Sequence, residues 1–383
     1  MRQRLHLLVV NCAQRTALAA RYGRRWLLPV IDCGEMVRAG PLVARWCAER
    51  DVATDVAGQW LGRVDDESVD WLMTVPPHPK ARTDTTSLEW ISLDALANGM
   101  AVLDYQGWAL RRSLERAPLP SVEGPFGTLD WPERVRSWLE NTLALTPLAW
   151  TPLRTSAYEV VAGCETPRGR VYFKGLAADR LHEPIVTQRF AAIAPESFAR
   201  TLAFEHREDG TAWWLTAECR GRPADDPVRV AIALARLQCR LQSMAHESPH
   251  LPRTEISRDE FTHLPQSWMP MDLDPSNVLI DGGEVRFIDL DDSFIGPAPQ
   301  AMAAFARRCS RDTAAAYRAY EQSWSPPLEG LDWRGLEDAA ITCQSQLGWI
   351  RLVRNFERGE LTADLDALRN RVGARLARRL QRG

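Results

Sequence analysis

The chain has 383 residues, enough for two or three units at ~100–200 residues each. It is 45% hydrophobic and 25% charged, with a formal net charge of −3, so no basic excess points to nucleic acid or to an anionic membrane surface. No run of ~18 apolar residues occurs, so no membrane-spanning helix is expected. The eight cysteines make no C-x-x-C pair and none sits a short spacing from a histidine. That argues against a zinc site or a disulfide framework and for buried free thiols in a reducing, cytoplasmic setting. Among 47 basic residues the lysines are Lys80 and Lys174; the rest are arginines. Arginine replaces lysine well on a surface but poorly where a compact ammonium is required, so each surviving lysine is a candidate functional residue.

In chain order, Leu5–Val10 and Trp26–Ile31 read as strands, Pro41–Arg50 as a helix, and Val56–Val64 and Asp70–Val75 as further strands, the last alternating. This mixed order predicts a small α/β domain over residues 1–115. The Pro- and Gly-rich stretch Ala117–Asp130 has little periodicity and places a linker at residues 116–130. Asp130 before Trp131-Pro132-Glu133 supplies an N-cap, a proline in the first turn and an acid at the positive helix end. A helix is expected from there to about Leu145. Strands follow at Ala157–Ala162 and Arg170–Lys174, joined by a turn, then a helix at Glu183–Ala194 and a buried strand at Trp213–Ala217. Asp226–Met244 carries Val230, Leu234, Leu237, Leu241 and Met244 on one helical face. From about Pro299 the chain reads as three helical segments. The expected division is residues 131–222 as a lobe with a leading helix and a hinge, and 223–383 as a mostly helical lobe.

The segment Met271–Pro297 carries the chemistry. It reads as a loop, a strand Val278–Ile280, a tight Asp281-Gly282 turn, a strand Val285–Ile288 and an acidic exit, Asp289-Leu290-Asp291-Asp292. Such a hairpin holds Asp272 and Asn277 close to Asp289. Carboxylate and amide oxygens are hard donors suited to Mg²⁺, which takes one or two carboxylates together with substrate phosphates. An acid, an amide five residues on, a hairpin and a second acid is the arrangement of a kinase catalytic loop. Asp272 is then the catalytic base for an acceptor hydroxyl, and Asn277 and Asp289 the metal ligands. Asp291 and Asp292 read equally well as solvated acids or as helpers of the metal or acceptor. The bland alternative for Asp272 and Asn277 is turn formation, which Asp, Pro, Ser and Asn all favour.

This segment resembles the aminoglycoside phosphotransferase and choline kinase family, whose motif runs H-G-D-L-H-x-x-N, then I-D-x-x-D-A and G-P. Asp272, Leu273, Asn277, Ile288-Asp289, Asp292 and Gly296-Pro297 match, and Leu264-Pro265 sits where many members have Leu-Pro. The family's first histidine is Pro270 here, its glycine Met271 and its second histidine Asp274. The resemblance spans about Thr151 to the C-terminus. It implies an α+β, two-lobed protein-kinase-like phosphotransferase fold that uses ATP and Mg²⁺ on a small-molecule acceptor. It also implies that Lys174 contacts the α/β-phosphates, that Glu183 is its partner, and that backbone groups of Thr216, Ala217 and Glu218 hold adenine at the hinge. No Gly-rich loop precedes Lys174, which leaves Arg154–Ala157 as the phosphate-covering turn. Trp324, Trp333 and Trp349 fall on helices that line the family's acceptor site. Pro270 and Met271 keep open a nucleotide-binding module without phosphotransfer.

Residues Trp26–Val52 resemble the Nudix pattern more faintly. Arg45 and Glu49 match, but Val30 and Ile31 replace its glycines, Trp46 its first glutamate and Arg50 its last. Leu88–Leu93 is similar to its late strand-to-helix exit. A Mg²⁺ site there needs several carboxylates, so the expectation is a Nudix-like domain without hydrolase activity. The basic segment Arg369–Arg382 reads as the solvated face of a packed helix.

Overall fold

The computed structural model describes residues 2–11, 15–22, 25–33, 45–50, 60–64, 68–75, 88–99, 126, 131–144, 149–155, 159–245, 261, 263–309 and 313–357. The architecture is mixed α+β. The chain divides into two compact units, one drawn from Met1–Ala177, Glu205–Leu215 and Arg351–Gly383, the other from Ala178–Phe204 and Thr216–Ile350. Lys80, the Ala117–Asp130 stretch apart from Phe126, and the basic Arg369–Arg382 segment lie outside the described residues.

The first unit opens with a seven-stranded sheet. It contains β1 (Arg2–Asn11), β2 (Thr16–Tyr22), β3 (Arg25–Leu27), β4 (Val30–Cys33), β5 (Trp60–Val64), β6 (Ser68–Val75) and β7 (Leu88–Ser92). The main path runs β3-β2-β1-β6-β5, with β4 on β1 and β7 on β2. Only the β1–β6 pairing among these is parallel, with Leu5 opposite Trp71. The single strand expected over Trp26–Ile31 is two strands, because Pro29 lacks the N–H that a continuous ladder needs. The predicted strand-to-helix exit is present: β7 runs directly into α1 (Leu93–Gly99), where the Ser92 hydroxyl accepts from the Ala95 N–H. Of the predicted Pro41–Arg50 helix, Arg45–Ala48 is helical and residues 34–44 lie outside the described set.

A second sheet of this unit follows α2 (Trp131–Leu143). It is ordered β11-β12-β10-β9-β8, from β8 (Ala149–Thr155), β9 (Glu159–Thr166), β10 (Gly169–Leu176), β11 (Thr201–His206) and β12 (Ala212–Ala217). The chain leaves this unit after Ala177, returns to it within β11 at Phe204–Glu205 and leaves it again within β12 at Leu215–Thr216. The amphipathic α2 docks on this sheet through Trp138, whose ring meets Phe173 and Trp213 edge-on at 6.0 and 5.7 Å. Its indole N–H donates to Glu205, and Arg134 pairs with Asp209 at 3.5 Å, so both polar ends of the contact are satisfied. Phe126 is also buried here, against Gly175. A Cβ on that glycine would stand 2.5 Å from the ring, so only glycine accommodates so close an approach next to Lys174.

The second unit is mostly helical, with α3 (His182–Ile193), α4 (Pro227–Leu241), α5 (Ala298–Ala306), α6 (Thr313–Ser323) and α7 (Trp333–Glu357), the last crossing between units at Ile350–Arg351. The short β13 (Arg222–Pro223) pairs β15 (Val278–Asp281), which pairs β16 (Glu284–Phe287); β14 (Gln266–Pro270) pairs β17 (Ser293–Pro297). Asp226 caps α4 by accepting from the Arg229 N–H at 3.0 Å. Phe190, Phe198, Trp268 and Phe287 form an aromatic core beneath the two ribbons, with neighbouring centroids 5.5–6.4 Å apart. At its edge the buried Gln238 is fully used. Its amide donates to the carbonyls of Trp268 and Ala298, at 2.7 and 3.0 Å, and accepts from the Tyr320 hydroxyl. This amide ties α4, β14, α5 and α6 together directly behind the candidate loop.

Candidate active site

The strand β14 delivers the chain to Asp272. Its pairing with β17 sets Pro270 opposite Ser293, and the ladder extends one step further, with the Met271 N–H donating to the Asp292 carbonyl at 2.9 Å. Met271 is buried, and its carbonyl accepts from the Gln344 amide of α7 at 2.9 Å. Pro270 and Met271 therefore stand in a continuous two-stranded ladder, which anchors the loop without a histidine.

After Asp272 the chain makes one 3₁₀ turn, Pro275–Asn277. Asp274 caps it, accepting from the Ser276 N–H at 2.9 Å and from the Ser276 hydroxyl at 2.7 Å. Burial pushes the Asp274 carboxyl up, but the two Ser276 bonds and then Arg308 outweigh it and hold it below the usual carboxylate range. Asn277 folds back on the loop: its Nδ2 donates to the Asp272 carbonyl at 3.0 Å. With Nδ2 committed to the backbone, the amide oxygen is the Asn277 atom left with ligand character. The Asn277 carbonyl accepts from the Ile288 N–H at 3.0 Å, so the hairpin sets Asn277 beside Ile288-Asp289.

The hairpin turn itself differs from expectation. Its register ends at Asp281 opposite Glu284, so the loop residues are Gly282 and Gly283, at φ 57° and 110°, and not Asp281-Gly282. Two positive φ values are what a two-residue turn needs to match strand twist, and adjacent glycines meet that without steric cost. At the other end of the hairpin Asp289 has φ 61°. A left-handed aspartate is uncommon and stores strain, a feature concentrated at functional sites.

Three residues of the second unit hold the acidic exit that follows. Glu183, in the first turn of α3 and buried, accepts from the Leu290 N–H at 3.3 Å. His182 Nε2 lies 2.6 Å from the Asp291 carbonyl; a carbonyl only accepts, so that nitrogen carries the proton. Arg180 pairs with the Asp291 carboxylate at 3.9 Å, both side chains largely buried. Arg308, just past α5, places Nη1 2.9 Å from Asp272 Oδ1 and 3.5 Å from Asp274 Oδ2.

Asp272, Asn277, Asp289 and Glu183 thus belong to one unit and one cluster of loops. Lys174 belongs to the other unit, on β10 opposite Val161, with its ammonium 5.7 Å from the centre of the Trp214 ring. The predicted hinge residues Thr216, Ala217 and Glu218 follow the point where the chain passes between units, at Leu215–Thr216. The Ala217 N–H donates to the Arg200 carbonyl at 2.9 Å. Arg154 ends in β8, while residues 156–158 of the phosphate-covering turn fall outside the described set.

Among the described residues no three His, Cys, Asp or Glu gather into a metal-binding group. The donor set is one amide oxygen and one or two carboxylates, which suits a Mg²⁺ ion that takes its other ligands from phosphates and water. The six cysteines described are free. Burial raises Cys164 and Cys343 to about 12 and Cys309 to about 11, so these thiols stay protonated and unreactive. Of the three tryptophans, Trp324 is buried in the core. Trp333 stacks on Tyr317 at 4.0 Å and donates to Glu321 at 2.8 Å.

Arg308, Asp274, Gln344 and Arg180 are the contacts that motif reading misses. An arginine carries no compositional signal in a chain with so many, and Gln344 lies far from the loop in sequence. Asp274 was legible only as a replaced histidine.

No family model matches the chain, and no curated protein matches it. Solved structures do. A macrolide 2′-phosphotransferase from Brachybacterium faecium is similar over 63% of this chain and 97% of its own, at 12% identity and a TM-score of 0.46. An amicoumacin kinase in complex with AMP-PNP, Ca²⁺ and amicoumacin is similar over 63% and 93%, at 14% identity and a TM-score of 0.45. The GDP complex of aminoglycoside 2′-phosphotransferase-IIIa is similar over 60% and 97%, at 13% identity and a TM-score of 0.45.

Proposed function

We propose that this chain is a cytoplasmic, Mg²⁺·ATP-dependent phosphotransferase that moves the γ-phosphate to a hydroxyl of a small molecule. The observation that carries the reading is the closed loop cluster at Asp272. Asn277 binds the Asp272 carbonyl through its amide nitrogen and the Ile288 N–H through its own carbonyl, and the left-handed Asp289 follows Ile288, which supports an ion held by Asn277 and Asp289. In this reading Asp272 orients the acceptor hydroxyl and takes its proton. Asn277 and Asp289 hold the ion, which when bound neutralises charge on the transferring phosphates. Lys174 contacts the α/β-phosphates with Glu183 as its partner, and the backbone of Thr216, Ala217 and Glu218 receives adenine.

The proposed division keeps a Nudix-like, non-hydrolytic domain at residues 1–115, a linker at 116–130 and two lobes at 131–222 and 223–383. The Glu49 carboxylate is paired with Arg50 at 3.3 Å, which leaves it a poor ligand for a metal. A nucleotide-binding module without transfer is the second reading, motivated by Pro270 and Met271. Asp272→Asn distinguishes the two. A general base contributes ~10²–10⁴-fold, so hydrolysis of Mg²⁺·ATP and transfer should fall by about that factor while ATP binding persists. Wild-type turnover in this variant removes Asp272 from the chemistry. Binding without turnover in either protein leaves the module.

A further inference from the structure

We infer that Arg308 is a positioning residue for the catalytic loop, acting through Asp272 and Asp274; the inference rests on the phosphotransfer reading above. Its backbone is firmly mounted. The Arg308 N–H donates to the Phe305 carbonyl at 2.9 Å and the Cys309 N–H to the Ala306 carbonyl at 3.1 Å, so the chain stays coiled past the end of the fully buried α5. From there one guanidinium nitrogen reaches two carboxylates two residues apart, 2.9 Å from Asp272 Oδ1 and 3.5 Å from Asp274 Oδ2.

The contacts form a ring. Arg308 holds the Asp272 and Asp274 side chains, Asp274 caps the Pro275–Asn277 turn through Ser276, and Asn277 returns to the Asp272 carbonyl. Each member fixes the next, so the Asp272 side chain and backbone are set by the same network. The ring also has an electrostatic rationale. This loop places an acid, Asp274, two residues from the catalytic Asp272, and like charges so close repel. The Arg308 guanidinium faces both carboxylates, offsets that repulsion and holds the two side chains in place. A carboxylate offers about four lone-pair sites, so the bond to Arg308 leaves Asp272 able to accept from a hydroxyl.

The test uses the full chain, with water as the acceptor in slow hydrolysis of Mg²⁺·ATP. Arg308→Met keeps the length of the side chain and removes its charge; Arg308→Lys keeps the charge and loses the fork. The expected result is a kcat about 10²-fold lower for Arg308→Met with ATP affinity unchanged, the scale set by a misplacement of about 1 Å. Amide exchange should quicken in peptides covering residues 271–277, and Arg308→Lys should recover part of the rate. Parallel loss of ATP affinity and melting temperature in both variants overturns the inference in favour of general packing. A higher rate in Arg308→Met overturns it in favour of a latch on the base. If Asp272→Asn is inactive while Arg308→Met keeps the wild-type rate, only the Arg308 inference fails. If Asp272→Asn itself hydrolyses ATP like wild type, the phosphotransfer reading fails and takes this one with it.

Discussion

Asp274 shows how a single residue departs from a motif and is absorbed by its surroundings. The carboxylate is bound by Ser276 and faced by Arg308, which together lower its proton affinity in the folded chain against the effect of burial. A depressed folded value means that the group stabilises the fold above its unfolded pKa, about 3.9, and loses that contribution as pH falls through the lower folded value. Melting temperatures of wild type and Asp274→Asn should therefore differ at neutral pH and converge in acid, as thermal scans across that range will show. A gap that stays constant would place the effect in packing. The meeting of Asn277 with Asp272 and with Ile288, next to Asp289, was readable from sequence because spacing restricts what a hairpin can bring together. Arg308 was not, because its partners lie across a tertiary contact and its own neighbours in sequence carry no pattern.

Elements were legible in proportion to how completely their local signals agreed. The helix after Asp130 and the helix after Asp226 have caps and an apolar face, and both are found. β8 and β11 were missed. β8 contains Pro152, which argues against a strand interior; the register shifts between Pro152 and Arg154, and the strand lies at the sheet edge, where proline is tolerated. β11 is the opposite edge and is half-buried along most of its length, so no alternation marks it. The hairpin was recognised but its turn was set one residue too early, since Asp-Gly and Gly-Gly are both sound turn pairs and only the ladder selects between them. Behind that hairpin, Gln238→Leu is expected to destabilise strongly. It strips partners from two buried carbonyls and a buried hydroxyl at ~1–3 kcal/mol each, a loss of several kcal/mol readable from urea unfolding. A cost below 1 kcal/mol would mean that the four elements do not depend on this amide.

At the scale of the whole molecule, Lys174 belongs to one unit and the acidic loops to the other. Ligand binding to the folded chain raises its stability by RT ln(1 + [L]/Kd), about 2.7 kcal/mol at a hundredfold excess over Kd. Mg²⁺·ATP should therefore raise the melting temperature more than ATP alone. The increment due to Mg²⁺ should vanish in Asn277→Ala/Asp289→Ala, whereas Lys174→Met should weaken ATP with or without the ion. An Mg²⁺ increment that survives the double substitution removes those two residues as ligands. One crossing between the units, at Leu215–Thr216, adjoins the proposed hinge Thr216–Glu218. The crossings at Ala177, Phe204 and Ile350 carry no local signal, since nothing local distinguishes a strand or helix that passes between units from one that stays within.

That interleaving orders events on the ribosome. β8, β9 and β10 emerge together and can pair at once, but β10 also pairs with β12, which is made only after α3 and β11. At ~5–20 residues per second, β10 spends some seconds as a growing sheet's open margin, with Val171 and Phe173 on it. Charged residues on such margins deter intermolecular strand pairing, lysine above all. Lys174 places such a charge on that margin while it is open.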